Sequence, residues 1–144
     1  NEARINGYDV GIILNHQGKV SEGAYACIFI VRDGVAATPP RTAGILESIT
    51  RDTLIELLGE MGVPVQERDV DRTELYYAEE VFLCGTLAEM EVIGSVDRYQ
   101  VGDGGAGPIT RELEERFERV VRGRDPKRKG WLTPVYAKAG VKAS

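Results

Sequence analysis

The sequence predicts an α+β domain, because short strand-like runs are combined with two amphipathic helices. An Asp-Gly pair at residues 33–34 separates two apolar runs, 24–32 and 35–38, and this is the strongest local signal for a β-hairpin. Further along, residues 50–61 and 108–122 carry apolar side chains at helical spacing. A length of 144 residues suits one domain with a sizeable core.

The first part of the chain is expected to supply strands. Residues 10–14 form an apolar run that a turn at residues 15–18 ends. Two prolines at residues 39–40 end the second hairpin strand, because proline cannot donate to a sheet ladder. Residues 1–6 resemble the last turns of a helix that Gly7 stops. Since there is also no initiator Met, we expect a piece of a longer protein.

The second part of the chain is expected to combine two long helices with further strands. The helix at residues 50–61 presents an apolar stripe and stops before Gly62, and the helix at residues 108–122 begins at a proline and stops before Gly123. We expect residues 137–144 to form a disordered tail. Between the two helices the pattern predicts a short helix at 74–79, a strand at 81–84, a bend at 85–86 and a hairpin over 89–101.

Composition and charge argue against several classes of function. The net charge is −5, and its one basic cluster, at residues 127–129, is interpreted as a solvated loop, so no nucleic-acid partner is expected. No apolar run is long enough to span a bilayer, so no membrane partner is expected either. Cys27 and Cys84 lack neighbouring ligands, which indicates neither a metal site nor a disulfide framework and favours a cytoplasmic location.

Residues 102–107 (GDGGAG) match the spacing of a dinucleotide-binding loop. That fingerprint also needs a helix and a second parallel strand with an acidic residue about 20 positions later. Here the chain instead reaches a basic loop near Arg124 and soon ends, and Asp103 would place a negative charge against a phosphate. We therefore interpret these residues as a flexible glycine loop between a strand and a helix.

Three other segments are informative together: residues 20–23 (VSEG), 45–52 (ILESITRD) and 80–89 (EVFLCGTLAE). Singly, each has an ordinary explanation as a solvated carboxylate, a helix cap or a turn. Their order and spacing resemble the large domain of fold-type-IV pyridoxal-phosphate enzymes. Residues 130–135 (GWLTPV) resemble the end of branched-chain aminotransferases in particular, and the resemblance covers residues 2–135.

The resemblance implies a curved, mostly antiparallel sheet or pseudo-barrel flanked by the two long helices. It assigns residues 1–136 to a C-terminal cofactor-binding domain that uses pyridoxal 5'-phosphate. Glu22 matches the carboxylate that hydrogen-bonds the pyridine nitrogen and keeps it protonated. Ile49 and Thr50 match the helix N-terminus that holds the cofactor phosphate, and Thr86 matches a hydroxyl that joins them.

Further contacts follow from the same resemblance. Leu46 matches the residue that packs beneath the cofactor ring. The backbone N–H groups of Thr86, Leu87 and Ala88 match those that receive the substrate carboxylate. Ser48 stands where glycine is common, which leaves the N–H donors of the phosphate site in place.

Departures from the family pattern concern the substrate and the catalytic group. Tyr25 stands where glycine is common and Cys27 where asparagine is, which leaves the substrate preference open. The family's Schiff-base lysine belongs upstream of Asn1, so no catalytic residue is expected in this chain. The small N-terminal domain, which supplies an arginine to the phosphate, is also expected upstream.

For the intact protein the resemblance implies transamination between branched-chain amino acids and 2-oxoglutarate. Alternatives within the fold are an aminodeoxychorismate lyase or a D-amino-acid aminotransferase. A third alternative is a non-catalytic remnant or a proteolytic module. Expected partners are the amino acid, the 2-oxo acid, the small domain and, because apolar surface would otherwise be exposed, a second copy in a homodimer.

Overall fold

The computed structural model describes residues 1–134 and has an α+β fold. The tail expected at residues 137–144, like the last residue of the 130–135 motif, lies outside the described residues. Two 3₁₀-helices are present, at Arg41–Ala43 and Pro126–Trp131. The other elements, in chain order, are α1 (Glu2–Ile5), β1 (Ile12–Leu14), β2 (Val20–Gly23), β3 (Cys27–Arg32), β4 (Val35–Thr38), α2 (Ile49–Glu60), β5 (Val65–Glu67), α3 (Glu74–Tyr77), β6 (Glu80–Gly85), β7 (Glu89–Val92), β8 (Ser95–Val96), β9 (Tyr99–Gln100) and α4 (Pro108–Val121).

The main sheet has five strands in the order β5-β4-β3-β6-β7. Every neighbouring pair is antiparallel except β4 and β5, which confirms the mostly antiparallel α+β class. Two smaller antiparallel ribbons, β1-β2 and β8-β9, complete the described strands. None of the described helices is long and apolar enough to cross a membrane.

The hydrophobic core has two parts, one on each face of this sheet, because side chains alternate along the strands. On one face, Phe29 and Phe82 stack at 5.1 Å between ring centroids and pack with the leucines of α2 and the apolar stripe of α4. On the other face, Ile28 and Leu83 pack with the ribbons and α3. The two long helices therefore cover the same face.

Several predicted boundaries are confirmed. The β3-β4 hairpin turns at Asp33 and Gly34, both with positive φ (51° and 73°), as the Asp-Gly signal indicated. Gly7 follows α1 with a φ of 79°. Helices α2 and α4 agree with the predicted ranges to within one residue at each end.

Two strand predictions were wrong. The strand expected at residues 24–32 begins only at Cys27, because the Gly23 N–H bonds to the Ala26 carbonyl at 2.8 Å and folds the chain into a turn. The hairpin expected over residues 89–101 does not form as one unit. Instead β7 pairs with β6, and β8 pairs with β9 across a turn in which Asp97 and Arg98 both have positive φ. Strand β5 was missed because it pairs with β4, which is distant in the sequence, so its three residues carry no hairpin signal.

The basic cluster was wrongly interpreted as a solvated loop. Lys127 is exposed, but Arg128 is buried and only 5% of its surface is accessible. Its guanidinium lies 2.7 Å from carboxylate oxygens of both Asp125 and Glu60 and stacks over Trp131 at 5.0 Å. These contacts hold the 3₁₀-helix at Pro126–Trp131 against the C-terminal part of α2.

The glycine loop at residues 102–107 joins β9 to α4, as predicted, and packs tightly against β6. The buried Glu80 carboxylate of β6 accepts hydrogen bonds from the N–H groups of Ile109 (3.1 Å) and Thr110 (2.6 Å). It therefore caps the positive end of the α4 dipole. Gly107 makes this approach possible, because a Cβ there would overlap the Glu80 carboxylate carbon.

We predict that Gly107→Ala lowers the free energy of unfolding by about 2–4 kcal/mol, since it combines overpacking with displacement of a charge-assisted cap. Denaturation by urea, followed by circular dichroism, measures this change. Gly105→Ala is the matched control in the same loop, because nothing lies within 4 Å of its added Cβ. Equal unfolding midpoints for the two variants would contradict the role given to Gly107.

Candidate functional site

Most of the residues singled out in the sequence lie around one end of the β3-β6 pair. The pairing places Cys27 directly opposite Cys84, so the chain leaves β6 through Gly85 beside the turn that precedes β3. An added Cβ on Gly85 would touch Ala26 at 3.5 Å. This close approach brings the β6-β7 turn next to the residues that follow β2.

Glu22 and Leu46 are brought together by a hydrogen bond. The Glu22 Oε2 atom accepts the Leu46 N–H at 3.0 Å, which fixes the loop before α2 against β2. The Leu46 side chain itself points away from the core and is 76% exposed. Within residues 1–134 no donor engages the other Glu22 oxygen, so that oxygen can accept a further hydrogen bond.

Cys27 holds the same loop from the side of the core. Its buried thiol donates to the Leu46 carbonyl with Sγ and O 3.6 Å apart. Burial raises the pKa of the Cys27 thiol, so that Cys27 keeps its proton and acts as a donor. The peptide groups of Leu46 are consequently held at both N–H and C=O.

The N-terminus of α2 offers free hydrogen-bond donors. Ser48 is the N-cap residue, and its Oγ accepts the N–H of Arg51 at 3.2 Å. In the described part of the chain, the N–H groups of Ile49 and Thr50 meet no acceptor. The Ile49 side chain is 89% exposed, so solutes can approach this end of the helix. Free N–H groups together with the helix dipole favour an anion here.

The β6-β7 turn presents a second group of donors. It consists of Thr86, Leu87 and Ala88 and is followed by Glu89 at a φ of 50°. Thr86 and Leu87 are exposed, and their N–H groups have no partner within residues 1–134. No direct bond joins Thr86 to the N-terminus of α2 in the described region; the two are connected through the Cys84-Cys27 register and the Leu46 loop.

Two residues of this region were not assigned a role from the sequence. Arg51 is buried in the first turn of α2, where its guanidinium donates to the Pro39 carbonyl (3.0 Å) and to Glu67 (2.7 Å). It thereby anchors the helix start to the ends of β4 and β5. Glu91 accepts the Tyr25 hydroxyl at 2.6 Å, which raises the pKa of Tyr25 and holds its ring beside the β6-β7 turn. For Arg51, the signal in the sequence is a charged residue in line with the apolar stripe of α2.

Residues 1–134 include three lysines, Lys19, Lys127 and Lys129. Lys19 forms a 2.6 Å ion pair with Asp71, and this hydrogen bond raises its pKa, so the amine stays protonated at neutral pH. Lys127 and Lys129 belong to the 3₁₀-helix beyond α4. The described residues contain no cluster of side chains that could hold a metal ion.

Comparison with known proteins identifies the family. The family model described as "Amino-transferase class IV" matches residues 1–96, which is two thirds of the chain. The chain belongs to this family. A probable branched-chain-amino-acid aminotransferase of Aquifex aeolicus is 49% identical over 138 residues, which cover 95% of this chain and 44% of that protein. This class IV aminotransferase chain thus spans less than half the length of the curated relatives it matches.

Solved structures agree with the family and with the fold. A branched-chain amino acid aminotransferase from Thermobaculum terrenum in its PLP form has a TM-score of 0.92 and 54% identity over 94% of this chain and 45% of that one. A branched-chain aminotransferase from Thermoproteus uzoniensis with norvaline has a TM-score of 0.89 and 48% identity over 94% of this chain and 44% of that one. The fold is that of the fold-type-IV aminotransferases.

We predict that Ser48→Ala lowers the free energy of unfolding by about 1 kcal/mol, because the first turn of α2 loses its side-chain cap. Ser48→Asp should retain the stability, since its carboxylate also accepts the Arg51 N–H and interacts favourably with the helix dipole. Denaturant titrations of the three proteins test this, with Ser95→Ala, on the exposed start of β8, as a control for serine removal. A Ser48→Asp protein no more stable than Ser48→Ala would contradict the capping role.

Proposed function

We propose that this chain is the cofactor-binding portion of a pyridoxal-phosphate-dependent branched-chain aminotransferase. The observation that carries the proposal is the arrangement at the start of α2: free N–H groups of Ile49 and Thr50 beside a loop that Glu22 holds by one carboxylate oxygen. The donor set suits a phosphate, and the second carboxylate oxygen suits a protonated ring nitrogen. The relatives named as branched-chain aminotransferases support the same choice.

The phosphate of the cofactor would bind at the N–H groups of Ile49 and Thr50, with the Thr86 hydroxyl as a further donor. These groups are neutral, so each hydrogen bond to the anion contributes about 1.5–3 kcal/mol at most. Arg51 and Arg41, the arginines nearest to the start of α2, are already paired with Glu67 and Asp52 respectively. Further positive charge would therefore come from outside the described residues, and we propose the small N-terminal domain as its source.

Glu22 would accept a hydrogen bond from the pyridine nitrogen and keep it protonated. When bound, the cofactor supplies an electron sink at the substrate's α-carbon. Leu46, whose side chain is 76% exposed, would pack beneath the ring. The N–H groups of Thr86, Leu87 and Ala88 would receive the substrate carboxylate.

The proposed reaction of the intact protein transfers an amino group from a branched-chain amino acid to 2-oxoglutarate. The lysine that carries the cofactor and moves the proton is proposed to lie in an upstream segment, because the Lys19 amine is engaged with Asp71. Residues 1–136 would then form the cofactor-binding domain of a cytoplasmic enzyme. Exposed apolar side chains such as Ile5, Ile49 and Leu87 support contacts with the small domain and with a second copy in a homodimer.

We expect the full-length protein to consume leucine and 2-oxoglutarate and to form glutamate. A coupled assay for glutamate measures this activity, with D-alanine and aminodeoxychorismate offered in parallel reactions. Release of pyruvate from aminodeoxychorismate, without turnover of leucine, would contradict the branched-chain assignment and favour a lyase of the same fold.

We expect the 144-residue chain alone to bind pyridoxal 5'-phosphate weakly and reversibly and to show no transaminase activity. Incubation with the cofactor, reduction by borohydride and peptide mass spectrometry then find no stoichiometric label on any of its lysines. The N-cap variant Ser48→Asp should weaken binding of the phosphate further, because it places a negative charge beside the anion. Full labelling of one lysine together with leucine turnover would contradict the proposal.

A further inference from the structure

Cys27 is a buried cysteine whose thiol also makes a polar contact, with the backbone of the loop before α2. A buried thiol usually behaves as a small apolar side chain. Here the Cys27 Sγ lies 3.6 Å from the carbonyl oxygen of Leu46. The N–H of Leu46 in turn donates to the Glu22 carboxylate at 3.0 Å. The residue proposed to lie beneath the cofactor ring is therefore held on both sides by side chains from two different strands, β2 and β3.

The loop that carries Leu46 has few other restraints. It follows Gly44, which has a φ of 83°, and it ends at Ser48, the cap of α2. Within residues 1–134, the hydrogen bonds of Leu46 go only to Glu22 and Cys27, and its exposed side chain adds no core packing. These two bonds are therefore the hydrogen bonds that hold the Leu46 backbone, while an exposed Arg41–Glu47 ion pair at 3.7 Å restrains the next residue.

We propose that Cys27 is a positioning residue for the cofactor site: its thiol holds the Leu46 carbonyl, and the backbone of Leu46 carries this restraint to the N–H that bonds the Glu22 carboxylate. The inference rests on the proposed function, since it assigns to Cys27 the geometry of the ring site. Cys27 does not touch the cofactor. It sets the position of the carboxylate that meets the ring nitrogen and of the side chain beneath the ring.

The chain contains its own control for this proposal. Cys84 is the direct cross-strand partner of Cys27, lies on the same face of the sheet and is also buried. Burial raises the pKa of the Cys84 thiol as it does that of Cys27. Cys84 makes no hydrogen bond to the Leu46 loop in the described structure. Replacement of either cysteine removes the same atoms from the same core, and only one replacement frees the loop.

The test compares wild type, Cys27→Ala, Cys27→Ser and Cys84→Ala in the 144-residue chain. The first readout is hydrogen exchange of the Leu46 amide by NMR, without any ligand. The second is the dissociation constant for pyridoxamine 5'-phosphate, which has no aldehyde to react with surface lysines. The third is the pH at which the absorption of bound pyridoxamine 5'-phosphate changes, which follows protonation of its ring nitrogen.

Loss of one neutral hydrogen bond should speed Leu46 exchange and weaken pyridoxamine 5'-phosphate binding by about three- to tenfold in Cys27→Ala. The pH of the absorption change should fall in the same variant, because Glu22 is less well aligned. Cys27→Ser keeps a hydroxyl donor. Its Leu46 exchange rate and its dissociation constant should return to within about twofold of wild type, and the pH of its absorption change should return toward the wild-type value. Cys84→Ala should lower the unfolding midpoint and leave all three readouts unchanged.

The proposal is overturned if Cys27→Ala matches Cys84→Ala in Leu46 exchange and in ligand binding, or if Cys27→Ser behaves like Cys27→Ala in both. Failure of the wild-type chain to bind pyridoxamine 5'-phosphate would contradict the proposed function instead. In that case Leu46 exchange, which needs no ligand, still decides the role of Cys27. Circular dichroism of every variant confirms that exchange is compared between folded proteins.

Discussion

The antiparallel pairing of β3 with β6 is the constraint on which the rest of the structure depends. Its register puts Phe29 against Phe82 under the two long helices and Cys27 against Cys84 at the end of the pair. A slip of one residue would exchange the two faces, because side chains alternate along a strand. The Cys27 thiol would then leave the Leu46 loop, and the β6-β7 turn would move away from the turn before β3.

The site at this end of the sheet combines one carboxylate with neutral donors. Glu22 is held by the Leu46 N–H, while Ile49 and Thr50 present unpaired N–H groups, within the described residues, at the start of α2. Arg51 anchors that helix start to the ends of β4 and β5, but its charge is already paired with Glu67. In the proposed site, oriented dipoles would attract an anion, whereas the full charge of Glu22 would attract a protonated ring nitrogen. This division matches the two ends of the proposed cofactor.

Local signals in the sequence predicted much of the fold, whereas the residues of the candidate site came from the family resemblance and stay predictions. The Asp-Gly hairpin and both long helices were predictable, because turn chemistry and apolar periodicity act within a few residues. Strand β5 was not, since its pairing with the distant β4 leaves no local pattern. The same holds for buried Arg128: only the fold brings Glu60 to it and turns an apparent surface charge into an anchor.

A crystal structure of the chain with pyridoxamine 5'-phosphate would test the proposed cofactor site most directly. We expect phosphate oxygens within hydrogen-bond distance of the Ile49 and Thr50 N–H groups, and the ring nitrogen within hydrogen-bond distance of Glu22 above the Leu46 side chain. A ligand bound elsewhere, or a phosphate at α2 whose ring points away from Glu22, would contradict it.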